Sequence, residues 1–187
     1  MSTSEEKGGN KKEPLKQFEA EARKALLEDD KGEYLVKYNL ILVLRKSADK
    51  IKDEKHDFEG YLEITFNYYP KKDYDTSLFF LNFVGEVHSL EINSTKINDY
   101  KFEKHRLYIP TNNLKNDAEN KILILYSGDY NHNGVGLHQY IDPSDKKEYL
   151  YTQFEPYDCN RLLPCFDQPD IKAIITLKVI APKEWIV

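Results

Sequence analysis

Gln153 and Glu155 stand two apart in Tyr149-Leu-Tyr-Thr-Gln-Phe-Glu-Pro-Tyr-Asp158, where an aromatic run of strand character meets a proline. On an extended chain, side chains two apart leave the same face. A carboxylate and an amide oxygen on one face suit an ammonium group, which has three donors and no acceptor. A partly buried carboxylate facing such a cation is worth about 2–5 kcal/mol, much of it the cost of leaving a charge unpaired. An internal ion pair of Glu155 with Arg161 or Lys172 would use the same residues. Spacing alone leaves both readings open.

Other chemistries find less support. The histidines are His56, His88, His105, His132 and His138, and no two of them make the His-Glu-x-x-His pattern that sets two imidazoles on one metal. His132 and His138 lie six apart in an Asn- and Gly-rich stretch and read as surface or loop histidines. Cys159 and Cys165 read as free thiols, since a metal site there would want two further ligands nearby. Asp158 beside Cys159 would disfavour a thiolate. There is no Gly-x-Ser-x-Gly elbow, and Gly134-Val-Gly136 lacks the third glycine and following helix of a dinucleotide loop. No catalytic or metal-ligating residue is therefore assigned, and no cofactor is expected on this chain.

The 187 residues suit one domain with a sizeable core. A net charge of −5 without a basic cluster argues against nucleic acid as a partner. No apolar run is long enough to cross a bilayer, and Met1 to Asn10 lacks the apolar stretch of a signal peptide. A cytosolic protein with no membrane partner is the expectation.

The elements that must position Gln153 and Glu155 are mostly strands. Residues 1–13 are polar, lack periodicity and read as a disordered tail; residues 14–187 read as the domain. Pro14 to Asp30 carries apolar residues at helical spacing, with Gly32 as the expected C-terminal cap. Val36, Tyr38, Leu40, Leu42 and Leu44 then alternate with less apolar neighbours, as do Leu62, Ile64, Phe66 and Tyr68. Ser47 to Asp57 is a charged connection. Leu78 to Phe83, apolar on both faces, reads as a central strand, and Asn93 to Lys96 as a hairpin turn after Val87 to Asn93. Arg106 to Ile109, Lys121 to Tyr126 and Ile171 to Ala181 read as further strands, the last with Ala173, Ile175, Leu177 and Val179 on one side. Fourteen tyrosines and nine phenylalanines fit strands. The fold expected is all-β, an antiparallel sandwich or saddle-like sheet with a short N-terminal helix. Trp185-Ile-Val187 reads as the start of another strand, so the domain looks incomplete at its C-terminus. An unpaired apolar edge there would invite another chain.

Three blocks carry a family likeness: Tyr151-Thr-Gln-Phe-Glu-Pro156, Asn160-Arg-Leu-Leu-Pro-Cys-Phe-Asp-Gln-Pro-Asp-Ile-Lys-Ala173 and Ala181-Pro-Lys-Glu-Trp185. Together they resemble the end of the N-terminal β-domain of the M1 family of zinc aminopeptidases. Gly134-Val-Gly-Leu-His-Gln-Tyr-Ile-Asp-Pro143 and the Glu19 to Leu27 segment resemble the bacterial-type aminopeptidase N subgroup. Gln139 and Asn160 depart from it, standing where arginine is frequent. The resemblance implies that Glu155 binds the free α-amine of a peptide and that Gln153 lines the pocket for its first side chain. It implies a zinc site in the full-length family, built by a further domain with Gly-x-Met-Glu-Asn and His-Glu-x-x-His motifs. Neither motif occurs in these residues, so the chain alone is expected to be inactive. Partners would be a peptide N-terminus and a catalytic domain or other protein at the C-terminal edge. The alternative is a non-catalytic scaffold or interaction domain derived from such a peptidase. The family often has a cis peptide after the amine-binding glutamate, and the next residue here is Pro156, where cis costs only ~0.5–1 kcal/mol. A cis Glu155–Pro156 bond that aims Glu155 at the pocket is expected.

Overall fold

The structure, a computed structural model, describes residues 14–46 and 56–187. The expected tail at 1–13 and most of the charged connection from Ser47 lie outside the described residues. Helix α1 (Gln17–Ala25) comes first, then β1 (Val36–Leu44), β2 (Phe58–Tyr68), β3 (Phe80–Asn82), β4 (Glu86–Ile92) and β5 (Thr95–Ile97). After these come β6 (Phe102–Glu103), β7 (Arg106–Tyr108), β8 (Ala118–Gly128), β9 (Gly136–Ile141), β10 (Glu148–Gln153) and β11 (Ile174–Ile180). The fold is all-β with one short helix, as the alternation implies.

Six strands form the main sheet in the order β11-β1-β2-β8-β4-β5; β3-β7-β6 and the β9-β10 hairpin form two smaller sheets. All pairings are antiparallel except β1 with β11. β1 buries Val36, Tyr38, Leu40 and Leu42 and exposes Lys37, Asn39 and Ile41. β2 buries Leu62, Ile64, Phe66 and Tyr68. These residues, with Ile122 and Ile124 from β8, share one core with Leu81 and Leu107 from the small sheet and with Leu26 and Leu27 after α1. Gly60 in β2 is a steric requirement, because a Cβ there would lie 2.0 Å from the Tyr126 ring. The β4–β5 turn is the expected hairpin: Ile92 pairs with Thr95, and Asn93 and Ser94 take φ of 50° and 67°, a type I′ conformation that matches strand twist.

Four expectations need correction. α1 stops at Ala25 rather than Asp30, because the Asp29 carboxylate accepts the Lys31 and Glu33 N–H groups and folds that stretch into a turn. Gly32, with φ of 76°, sits in this turn and does not cap the helix. Leu78 to Phe83 is no central strand. It is a 3-10 turn at Thr76–Leu78, capped by Asp75, followed by the three-residue β3. Phe79, Phe80, Leu81 and Phe83 are apolar on both faces because the segment is buried between layers. Residues 181–187 contain no strand; Trp185 N–H donates to the Pro182 carbonyl at 3.0 Å in a turn. The exposed apolar edge is β11 itself. Among the described residues it pairs only with β1, and it leaves Ile174, Ile175 and Leu177 exposed on both faces.

α1 is locked down by ions. Arg106 from β7 holds the buried Glu19 carboxylate with two bonds of 2.7 and 3.0 Å. Arg23, fully buried, meets neutral acceptors among the described residues: Asn82 Oδ1 at 2.6 Å, the Phe80 carbonyl at 3.3 Å and Gln168 Oε1 at 3.1 Å. Burial lowers its pKa to about 10. The Phe80 ring lies between the two guanidiniums, 4.6 Å from Arg23 and 4.4 Å from Arg106.

Burial works against ionisation of Glu19, but the Arg106 bonds and the Lys16 N–H outweigh it and hold the carboxyl below its usual range. A depressed carboxylate contributes stability fully above its unfolded pKa of about 4.3 and loses it as pH falls through the lower folded value. Urea midpoints should therefore fall as pH drops below about 4.3, and less steeply in Glu19→Gln. Identical acid slopes for the two proteins would remove Glu19 from this role.

Candidate functional site: the β10 terminus and its proline-rich loop

The β9–β10 hairpin delivers the candidate residues. Its entry needs glycine: Gly136 has φ of 69°, and a Cβ there would lie 2.6 Å from the Arg161 Cβ. His138 is not the loop histidine expected from its surroundings. It lies buried in β9, accepts the Gly134 N–H on Nδ1 at 2.8 Å and packs on Tyr151 with ring centroids 4.8 Å apart. Gln139, likewise buried, donates to Glu148 across the hairpin. β10 ends at Gln153, opposite Gly136.

Beyond Gln153 the chain leaves the sheet, so strand periodicity does not relate Gln153 to Glu155. The Glu155–Pro156 peptide is cis. The Phe154 carbonyl accepts the Asp158 N–H at 2.8 Å, and Asp158 Oδ1 accepts Arg161 Nε at 2.7 Å. Arg161 is thus paired with Asp158. Among the described residues no ion pair joins Glu155 to Arg161 or Lys172.

The block Pro164-Cys-Phe-Asp-Gln-Pro-Asp170 is the anchor for this turn. The Cys165 backbone exchanges hydrogen bonds of 2.8 and 3.1 Å with Asn82 in β3. The Asp167 carboxylate accepts the Asn160 N–H at 3.0 Å and the Asn160 side-chain amide, both buried. Gln168 joins Arg23 on one side and donates to the Ala20 carbonyl at 3.1 Å on the other. Asp167 and Gln168 therefore fix the loop from inside. Two local signals could have shown the Asn160–Asp167 clamp: a short polar side chain before a turn, and a carboxylate seven residues on.

Between this block and the turn lies an open cleft of about 460 Å³. Phe154, Glu155 and Pro156 form one side of it, and Phe166, Lys172 and Ile175 are among the residues opposite. The Glu155 carboxylate is exposed at its rim. Gln153 is exposed and does not line the cleft. An apolar cleft with one exposed carboxylate at its edge can take a ligand that is apolar in body and cationic at one end. A larger hollow of about 770 Å³ lies on the outer face of the main sheet, but it holds none of the motif residues. Its carboxylate Glu63 is already engaged by Lys121 at 2.9 Å and Asn39 at 3.0 Å.

Among the described residues no three His, Cys, Asp or Glu side chains gather where they could hold a metal ion. The residues present do not fit a zinc site, and no zinc-dependent step is assigned to them. No described helix is long and apolar enough to cross a membrane.

Comparison with known proteins matches residues 37–187 to the Peptidase M1 N-terminal domain. Aminopeptidase N of Streptomyces lividans is 34% identical over 102 residues, which are 54% of this chain and 12% of that protein. Aminopeptidase N of Acetobacter pasteurianus is 32% identical over 118 residues, 62% of this chain and 33% of that sequence. Among solved structures, leukotriene A4 hydrolase from Saccharomyces cerevisiae superposes with a TM-score of 0.62 at 18% identity, covering 91% of this chain and 26% of that one. The M1 zinc metallopeptidase from Deinococcus radiodurans gives 0.56 at 20% identity, covering 80% and 33%. At such identities the structures support the fold alone. The chain spans at most about a third of the length of these relatives. Matched over most of its length by the family model, and carrying the Thr-Gln-Phe-Glu-Pro and Pro-Cys-Phe-Asp-Gln-Pro-Asp blocks, this chain belongs to the Peptidase M1 N-terminal domain family.

Proposed function

We propose that this chain is the substrate-recognition part of an M1 metalloaminopeptidase, in which Glu155 anchors the α-amine of a peptide and Gln153, which lies outside the cleft of this chain, lines a first-side-chain pocket that a further domain completes. One observation carries the reading. Glu155, in the family's Thr-Gln-Phe-Glu-Pro block, presents an exposed carboxylate at the rim of an apolar cleft, while the nearby Arg161 is taken by Asp158. The reaction served would be removal of N-terminal amino acids from peptides in the cytosol. There a zinc held by another domain would supply the activated water. This chain supplies binding and position, and purified alone it should not hydrolyse an aminoacyl-arylamide with zinc added.

The test is an NMR titration of the isotope-labelled chain with leucinamide and with N-acetyl-leucinamide. Leucinamide should shift the amides of Gln153, Phe154, Glu155 and Tyr157. The acetylated compound, which has the same side chain and no ammonium, should not. Equal shifts from both ligands would mean that the amine is not what is read.

β11 favours a second role compatible with the first. Among the described residues no strand pairs with its outer backbone edge, and its apolar residues are exposed at 54–58% for Ile174, Ile175 and Leu177. This is the place for a catalytic domain or another protein to add a strand. Leu177→Lys should abolish any concentration-dependent association of the chain in sedimentation. Unchanged association would move the contact elsewhere.

A further inference from the structure

Cys159 and Cys165 are both free thiols, and both line one cleft. Cys159 opens a 3-10 turn whose carbonyl accepts the N–H groups of Leu162 at 2.9 Å and Leu163 at 3.2 Å. That turn and the Pro164 corner fold the span between the cysteines back on itself. Cys165 is fixed at the other end by its backbone bonds to Asn82. Both side chains line the cleft that Glu155 borders, and both pack against the same core. The two thiols interact side chain to side chain.

The pair is unequal. Cys165 is buried at 4% exposure, whereas Cys159 is half-buried and reached from the cleft. Burial, with the neighbouring Cys159 sulfur and Asp167, pushes the Cys165 thiol well up, so it is the slower of the two to react with a solvent oxidant. The Asp158 charge beside Cys159 is taken up by Arg161. A solvent oxidant therefore meets Cys159 first, with a second sulfur waiting behind it.

We propose that Cys159 and Cys165 form a peroxide-oxidisable dithiol in which Cys159 is attacked first and Cys165 closes a disulfide in the wall of the cleft. In the first step the Cys159 sulfur attacks hydrogen peroxide. An S–O bond forms, the O–O bond breaks, and water leaves carrying the thiol proton. The sulfur is oxidised by two electrons to a sulfenic acid. In the second step the Cys165 sulfur attacks the Cys159 sulfur. An S–S bond forms, the S–O bond breaks, and a second water leaves with the Cys165 proton. Two thiols and one peroxide thus give one disulfide and two waters. Both sulfurs line the cleft, so the reaction remodels its wall, and it proceeds whether or not Glu155 binds an amine.

The experiment treats the whole chain with hydrogen peroxide, alkylates it and maps it by mass spectrometry without reductant. The expected product is a monomer lighter by two hydrogens, with Cys159 and Cys165 linked and neither alkylated; dithiothreitol restores both thiols. In Cys165→Ser, Cys159 should be trapped as a sulfenic acid by dimedone. In Cys159→Ser, Cys165 should react at least about tenfold more slowly than Cys159 does in the wild type. The idea is overturned if Cys159 runs on to sulfinic acid while Cys165 stays reduced. It is equally overturned if both thiols remain alkylatable, or if disulfides form only between chains. The wild-type map decides the matter even if a variant fails to fold.

Discussion

Arg106→Ala should cost about 3–5 kcal/mol of folding stability, read as a large drop in the urea midpoint. The substitution leaves the Glu19 carboxylate at 4% exposure without its two-bond partner. It also removes one of the two guanidiniums flanking Phe80. The size of the loss comes from the abandoned charge rather than from the worth of the pair. The double variant Glu19→Leu with Arg106→Met should therefore recover most of it, since well-packed apolar residues can replace a buried ion pair at little cost. A loss below about 1 kcal/mol for Arg106→Ala would put this pair among the surface ones that contribute little. The lock is joined to the cleft through α1. Glu19 and Arg23 sit on one helix, and Arg23 reaches Gln168 in the loop that backs the cleft.

Phe79→Ala should cost a similar amount, about 3–5 kcal/mol, by leaving a cavity that the surroundings cannot fill. Phe79 is fully buried, with its ring centroid 5.5 Å from Phe66, 5.4 Å from Tyr68 and 5.4 Å from Phe166. Phe166 is also a wall of the Glu155 cleft. The variant should therefore loosen the cleft as well as the core, seen as faster amide exchange at Phe166 and Gln168 than in the rest of the chain. Phe79→Leu, which keeps most of the volume, should lose less than half as much. Equal losses for the two would mean that the ring contacts with Phe66, Tyr68 and Phe166, and not the cavity volume, set the cost.

β1 and β2 were legible in the sequence because one face of each is buried and the other is wet, which writes period two into the residues. β9 was not. Gly136, Leu137, His138 and Gln139 are all buried, so no alternation survives, and the Asn- and Gly-rich approach resembles a loop. β11 shows the reverse limit. Its alternation names the side a neighbour would cover, yet both of its sides are exposed, since an apolar pattern records a preference and not a partner. At the site, residue types and period two suggested an ammonium-binding pair on one face, but period two does not apply there, because β10 ends at Gln153 and Glu155 lies in the turn beyond. Spacing no longer singles out Glu155, and what points to it is the resemblance of the family blocks. Nothing local could say that Arg161 would choose Asp158 over Glu155, a matter of turn geometry.

In the proposed function the Glu155 carboxylate holds a free α-amine. The most direct test of this compares leucinamide binding to the wild-type chain and to Glu155→Gln, which keeps shape and removes charge. Binding to the variant should be weaker by at least about tenfold, or about 1.4 kcal/mol, with the shifts at Gln153, Phe154 and Tyr157 lost at matched ligand. Equal affinity and the same shift pattern in both proteins would contradict the account.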